Sequence, residues 1–469
     1  MVRFKRRLSP GRLAWSVGAA VLAIVAVLLA LANVAGAGKH RVAVVDQFLK
    51  AISAPLKLRA PGDPAEIRYD ISCLPPDGNA EGPGVCDGGG TVYFRASGNV
   101  TASVPLQLDP NAQVGRYVAP VPAAIWAAPW FTYYATVTDN STGRSIMVPP
   151  GGAGAPQISF AIGSGTIDLG AHVFGVARQP SARVASATWG SGDGEVGLED
   201  GADQPTGAAS FDVDSSGNVY LLDEANDRML KFGAADSPQA IPLPGLAGVK
   251  SDLRVSDASS TAYLLEVANA SSARPVLRSY TLQGGPLSAS TVADAAAAQI
   301  RLSGSTAYVS EYPSSVWAPV LQANGTVAVD STTQFARAIP GGPSQAGNLV
   351  MLAGGNDVRI GTYVPIGSTY RLSSFRITST TPVADVQLAQ TLPSGRVLVV
   401  FSVYSDTDHE YEAVVVDPSG ALVDQFSLAA FDWAQSMPLS RFRLVGSSLY
   451  ELGTTDQGAF VDRYDLEVS

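Results

Sequence analysis

The stretch AASFDVDSSGNVYLLDEANDRMLKF, Ala208 to Phe232, decides the fold. Phe211 and Val213 alternate with Asp212 and Asp214, the two-residue period of a strand with one buried face. Ser215-Ser216-Gly217-Asn218 then supplies a turn, because glycine takes positive φ without steric cost and serine and asparagine bond to nearby backbone. Val219 to Leu222 is a nearly continuous apolar run, as suits a strand covered on both faces. Glu224 to Asp227 reverses the chain again, and Arg228 to Phe232 leaves as a third strand. The outline recurs as GNVYLL, STAYLL, STAYVS, GRVLVV and SSLYEL, each a turn followed by an apolar strand. Starts about 40 to 55 residues apart match the length of a four-stranded blade. The expectation is a β-propeller of about six blades over residues 166–469. An early strand within Ile167 to Val176 is expected to pair with the last blade, since closing the ring removes exposed edges. VADAAAA, Val292 to Ala298, reads as a helical turn between blades.

Composition supports an all-β chain. Hydrophobic residues make up 46% and charged ones 15%, with 47 Gly and 31 Pro, which suits short strands and many turns. At 469 residues the chain exceeds one ordinary core, so more than one domain is expected. The first forty residues hold six basic and no acidic residues. The remainder holds 25 basic against 41 acidic, a net −16. An acidic body is a poor match for phosphate, which argues against nucleic acid as a partner.

Residues 1–12 form a basic segment with Arg3, Lys5, Arg6, Arg7 and Arg12. An uncharged apolar run follows over residues 13–37, long enough to cross a hydrocarbon core of ~30 Å. The positive flank is expected to stay cytoplasmic, with the rest of the chain outside. Two readings stand: a single-pass signal anchor in the cell membrane, or a cleaved signal peptide and a secreted protein. The length of the run favours the anchor. Residues 38–64 read as a stalk, with Val42 to Leu49 able to continue as a short helix and three prolines beyond it.

Residues 65–150 read as a small two-sheet β-sandwich. Ile67, Tyr69 and Ile71 alternate with polar neighbours, and further strands are expected near 91–95, 101–108, 115–121, 131–138 and 145–148. Trp126, Trp130, Phe131, Tyr133 and Tyr134 are expected in the core or against a neighbouring domain, with an exposed binding platform as the alternative. Residues 151–165, opening on GGAGAP, read as a linker. Cys73 and Cys86 lie in SCLPPDGNAEGPGVC. In an exported chain the simplest fate of such a pair is one disulfide, worth ~3 kcal/mol in the chain-entropy estimate.

The segment FTYYATVTDNSTGRSIMVP resembles the last hairpin of bacterial immunoglobulin-like domains, although the long-range cysteine pair of that family is missing. The first blade resembles the NHL repeat of six-bladed propellers. Asp214, Gly217, Asn218, Asp223, Asn226 and Arg228 stand where that repeat commonly has such residues. The resemblance implies propeller geometry and, often, binding of a ligand on one face.

No G-x-S-x-G elbow, HExxH or phosphate-binding loop occurs. Asp212-x-Asp214-x-Ser216-Gly217 with Asp223 mimics a calcium loop, but it lies between strand patterns, and a hairpin turn explains it. Of the three histidines, His40 adjoins the apolar segment, His172 reads as a core or linker residue, and His409 sits in the charged loop SDTDHEYE. No cofactor is expected. The sequence favours a membrane-tethered binding protein whose propeller holds a protein, peptide or glycan. The alternative is a metal-dependent propeller hydrolase or lyase, with Glu266, Asn269 and Glu311 as candidates for a channel metal site.

Overall fold

A computed structural model describes residues 49–466, apart from internal stretches of which 74–83, 267–274 and 323–338 are the longest. The expected basic segment, the membrane run, the short helix and His40 lie outside the described residues. Among the described residues no helix is long and apolar enough to cross a membrane.

The N-terminal domain is a sandwich of two sheets. One orders Leu49–Ile52, Glu66–Cys73, Arg116–Pro120 and Gln107–Leu108, with Gly84–Val85 beside Glu66–Cys73. The other orders Leu58–Arg59, Gln157–Ala161, Trp130–Asp139, Gly88–Ala96 and Thr101–Pro105, with Arg144–Val148 beside Trp130–Asp139. The alternation read from the sequence is the alternation of burial: Ile67, Tyr69 and Ile71 point inward, as do Phe131, Tyr133, Ala135 and Val137. Of the aromatic cluster, Phe131 and Tyr133 are core, Tyr134 stacks on Tyr93 on the outer face, and Trp126 lies under the Arg59 guanidinium. Cys73 ends its strand against the same core; Cys86 lies outside the described residues.

The expected stalk and linker need correction. Leu49–Ile52 pairs antiparallel with Glu66–Cys73, and Leu58–Arg59 pairs parallel with Gln157–Ala161. Residues 49–59 and 157–161 therefore belong to the sandwich. Pro55, Pro61 and Pro64 flank the short strand without interrupting it, and Ile158, Phe160 and Ile162 carry a strand alternation that the glycines before them obscure.

Six four-stranded sheets make up the rest of the described chain, and together they form a β-propeller. Blade one is Ser210–Val213, Val219–Asp223, Arg228–Phe232 and Gln239–Pro242. Blade two is Lys250–Ser256, Thr261–Glu266, Val276–Thr281 and Pro286–Thr291. Blade three is Ala297–Ser303, Thr306–Glu311, Val316–Gln322 and Ile339–Pro340. Blade five is Val383–Thr391, Val397–Tyr404, His409–Val416 and Leu422–Ala429. Blades four and six have only three consecutive strands each: Asn348–Ala353, Asp357–Ile366 and Thr369–Thr378, then Phe442–Val445, Ser448–Thr455 and Gly458–Asp465.

Both incomplete blades are finished by chain that precedes the propeller. Thr166–Asp168 adds to blade four in parallel, and Ala182–Thr188 adds to blade six antiparallel. The strand expected to close the ring thus lies on blade four, and the closing strand comes later. Its pattern of small residues, Ala182, Ala185 and Ala187, is too weakly apolar to stand out. The helical reading of 292–298 also fails at its end, where Ala297 and Ala298 open the inner strand of blade three; 293–296 lie outside the described residues. With only three strands of its own, blade four runs in the opposite sense to blade five. The Val383 N–H, at the start of blade five's inner strand, donates to Gly355 O in blade four's first turn.

The inner strands of blades six, one, two and three are stitched by alternate residues. Phe442 and Leu444, Phe211 and Val213, and Leu253 and Val255 each pack against the preceding blade. The residues between them reach the following blade. Arg443 Nε donates to Phe211 O at 3.0 Å, Asp212 accepts from Val255 N at 2.7 Å, and Asp252 accepts from Ile300 N at 2.8 Å. Arg254 Nε donates to Ile300 O at 3.1 Å, and Arg443 Nη2 binds Asp252 at 2.7 Å. Burial pushes the Asp212 carboxyl above its usual range, against the opposing pull of Arg254 and Arg443.

The sandwich docks on blade four. Leu58, Ala60, Ile158, Phe160 and Ile162 enclose Trp130 and Leu372, and a Cβ on Gly361 would meet Leu58 at 2.8 Å. Arg359, almost wholly buried, donates to Leu58 O at 3.0 Å and to the carboxylates of Asp63 and Asp357. From there residues 169–181 follow the rim of blade five. His172 is held between Glu410 and Glu412, and Arg178 pairs with Asp424 at 3.0 Å and covers Phe426. Burial works to lower the His172 pKa, but its bonds to Glu412 and Glu410 raise it on balance. Replacing Arg359 by Ala leaves Asp63 without its cation, Asp357 keeping Arg376 at 2.9 Å, and should cost about 3 kcal/mol by urea unfolding, since removing one partner of a buried pair leaves uncompensated charge. Asp63→Asn should cost less, because Asp357 still holds the guanidinium.

Candidate functional site

The repeat signature of blade one is structural. Asp214 accepts from Ser216 N at 3.0 Å, Asn218 N at 2.8 Å, Asn218 Nδ2 at 2.7 Å and Tyr220 OH at 3.2 Å. Gly217 sits at φ 83°, which a side chain would strain. The acidic motif that mimics a calcium loop is therefore a saturated hairpin, and Asp212 belongs to the stitching of the inner strands. At the far end of the blade, Asp223 is fully buried and receives Arg228 Nε at 2.7 Å, Asn226 Nδ2 at 2.9 Å and Gly197 N at 2.9 Å. Arg228 continues to the carbonyls of Gly192 and Glu195. These bonds anchor the loop that enters blade one.

Of the channel candidates, the two described ones lie on different blades. Glu266 lies on the second strand of blade two and pairs with Arg278 at 2.6 Å; Glu311 ends the second strand of blade three; Asn269 lies outside the described residues. Neither of the two described candidates stands on an inner strand. Among the described residues no group of three or more His, Cys, Asp or Glu could hold a metal ion.

A different cluster gathers where blades five, six and one meet. Connections from second to third strands and from outer to next inner strands emerge at the same end of these blades, by the antiparallel order of each sheet. The 405–408 turn, the residues after Ala429 and the residues after Thr188 are such connections. His409 stacks flat on Tyr404, with centroids 4.2 Å apart, and meets the Tyr411 ring edge-on at 5.0 Å. Its Nδ1 lies 3.1 Å from Asp432 Oδ2. Burial raises the Asp432 pKa, but His409 and Arg441 outweigh it and hold the carboxyl below its usual range. Arg441 lies 5.6 Å over Tyr411 and donates to Phe431 O at 2.8 Å. Trp433, 41% exposed, packs 6.0 Å from Trp189, whose indole N–H donates to Thr455 O at 2.9 Å.

Below this surface Glu451 is fully buried and accepts from Tyr464 OH at 3.0 Å. Burial pushes its pKa up to about 8, in spite of Arg441 and the Tyr464 hydroxyl. Of this cluster the sequence singled out only His409. Tyr404, Asp432, Trp433, Arg441 and Glu451 come from separate strands and loops, and no local spacing marks them as neighbours.

No family model matches the chain, and no curated protein does. Among solved structures, virginiamycin B lyase from Staphylococcus aureus is similar at 10% identity, covering 55% of this chain and 95% of its own, with a TM-score of 0.33. YCF48 bound to D1 peptide is similar at 12% identity, covering 63% and 97%, with a TM-score of 0.33. A putative TolB from Agrobacterium tumefaciens is similar at 12% identity, covering 55% and 90%, with a TM-score of 0.28. Overlap this loose defines neither ligand nor chemistry.

A raised carboxyl pKa gives stability that is fully present below the ordinary glutamate range and lost as pH climbs through about 8. Glu451→Gln keeps an acceptor for Tyr464 and removes the titration. The variant should match the wild type near pH 5 and exceed it near pH 9 in melting temperature. Parallel curves across that range would mean that Glu451 ionises without cost.

Proposed function

We propose that this chain is a membrane-tethered, extracytoplasmic binding protein that takes a peptide or protein segment on the loop face of blades five, six and one. The observation that carries this reading is the Trp189–Trp433 pair beside Asp432, with Trp433 41% exposed on that face. Aromatic side chains with one face free are preferred anchors of recognition, and loops on a rigid scaffold are where binding concentrates. The flanking Asp432, His409 and Arg441 add polar contacts that orient a backbone. A glycan would use the same tryptophans, but a stack of two indoles among charged groups suits an extended peptide better. Selection of random peptides on the full-length protein in detergent should enrich sequences that lose at least tenfold affinity on Trp433→Ala. Enriched peptides indifferent to that change would place the contact elsewhere.

The tether, the compartment and the bridge belong to the same reading. Residues 13–37 act as the uncleaved anchor, the basic residues before them stay inside, and the sandwich serves as an immunoglobulin-like spacer beneath an NHL-like first blade. Gly84 pairs with Cys73 across the edge of the sandwich sheet, and no free cysteine occurs among the described residues. A Cys73–Cys86 disulfide suits an oxidising compartment. Peptide mapping of protein extracted from membranes should find residues 1–37 retained and a Cys73–Cys86 linked peptide. A mature N-terminus after residue 37, or two alkylated cysteines, would remove the anchor or the bridge respectively.

A further inference from the structure

Lys57 stands one residue before Leu58–Arg59, the strand by which the sandwich docks on blade four, and it is 8% exposed. Among the described residues its ammonium has no hydrogen bond and no carboxylate partner, and the charge that acts on it is the like charge of Arg301. We propose that Lys57, Arg254 and Arg301 hold a small free oxyanion of two negative charges, a sulfate or phosphate, between the inner strands of blades two, three and four where the sandwich meets the propeller. The proposal is independent of the peptide face on blades five, six and one.

Strand register brings these groups to one place. On blade three, Ile300 and Leu302 pack backward against Tyr263, Leu265 and Leu277 of blade two, so Arg301 between them faces blade four. Leu349, on the inner strand of blade four, pairs with Gly361, the residue that Leu58 abuts. Lys57, next to Leu58 in the chain, meets Arg301 at that junction. Arg254 joins them from blade two: its Nε donates to Ile300 O at 3.1 Å, beside Arg301 in the chain. The Arg254 side chain is 21% exposed and Arg301 is only partly covered, so an ion can reach both.

The nearby carboxylates are already engaged. Asp252 holds Arg443 Nη2 at 2.7 Å and Ile300 N at 2.8 Å. Asp212 holds Val255 N at 2.7 Å and stands 3.6 Å from Arg254 Nη1 and 3.7 Å from Arg443 Nε. Four cations, Lys57, Arg254, Arg301 and Arg443, against Asp212 and Asp252 leave two positive charges in excess, the charge that a dianion cancels. Burial, aided by like-charged neighbours, lowers Lys57 to about 7 and Arg301 and Arg443 to about 10. In a body with 41 acidic and 25 basic residues, a local excess of buried cations is not a by-product of composition. A buried charge without a counter-charge is costly, and such groups cluster where a ligand completes them. An ammonium and two guanidinium forks suit an oxyanion and repel a metal ion. With Lys57 so deeply covered, the site takes a free ion and not the end of a polymer.

Equilibrium dialysis of the full-length protein in detergent against labelled sulfate, with sodium chloride holding the ionic strength, should show saturable, stoichiometric binding. Lys57→Met should weaken that binding about tenfold or more, since it removes a charge from a partly desolvated site. The same change relieves a buried charge, so without sulfate or phosphate Lys57→Met should melt above the wild type. Added sulfate should then stabilise the wild type and not the variant, because only a state that binds the ion gains from it. A variant that melts below the wild type in anion-free buffer means that the ammonium serves the fold itself, and overturns the proposal. Equal binding by both proteins overturns it too. So does an absence of saturable binding to the wild type, a result that needs no variant to fold. Glycerol 3-phosphate competing tenfold better than inorganic phosphate would assign the charge to a larger molecule and overturn the free ion.

Discussion

Each blade has to be held against its neighbours by its inner strand, and that strand has few residues with which to do it. The solution in blades six, one, two and three is to divide its two faces. One face is apolar and packs backward; the other is charged and hydrogen-bonds forward to the next strand's backbone. A carboxylate that accepts a backbone N–H forms a stronger bond than a neutral acceptor would, and it fixes the height of one blade relative to the next. The cost of burying Asp212, Asp252 and Arg443 is offset because each has an opposite charge in reach. The same pairing occupies the acidic groups that a channel metal would need.

Much of this was legible in the sequence where the signal was local. Phe211-Asp212-Val213 shows its alternation at sight, and the Asp214 to Asn218 turn can be read from residue type alone. Sandwich strands around Ile67 and Phe131 were equally plain. The failures share one cause. Leu58–Arg59 and Ala182–Thr188 are strands only because a distant edge needs them, and each is too short or too rich in small residues to show a period; the strand expected from Ile167 exists but joins blade four. Tertiary pairing, not propensity, makes them strands. The Ala297 end of the expected helix reversed for the same reason.

The candidate site was the least legible part. His409 was visible as one of three histidines, but Asp432, which it contacts, comes from a blade connection, and Arg441, over Tyr411, from the foot of an inner strand. Sequence spacing does not encode that meeting; blade geometry does. His172 had been read as a core or linker residue, and it is one, yet its grip on Glu410 and Glu412 could not be foreseen, because those carboxylates looked like part of a solvated loop. Blade curvature turns their side of the strand toward the rim segment instead.

The rim segment between Thr166 and Thr188 has a consequence for biogenesis. If the N-terminus threads through a membrane first, these residues arrive outside while their partners on blades four, five and six are still inside. Ala182–Thr188 cannot pair until Gly458–Asp465 has followed, because blade six offers no edge for it before then. Contacts of such long sequence separation form slowly. The nascent chain must therefore pass through a stage in which several sheets exist and the circle does not. The pairing of Gly458–Asp465 with Ala182–Thr188 is thus the step that commits the molecule to its closed shape.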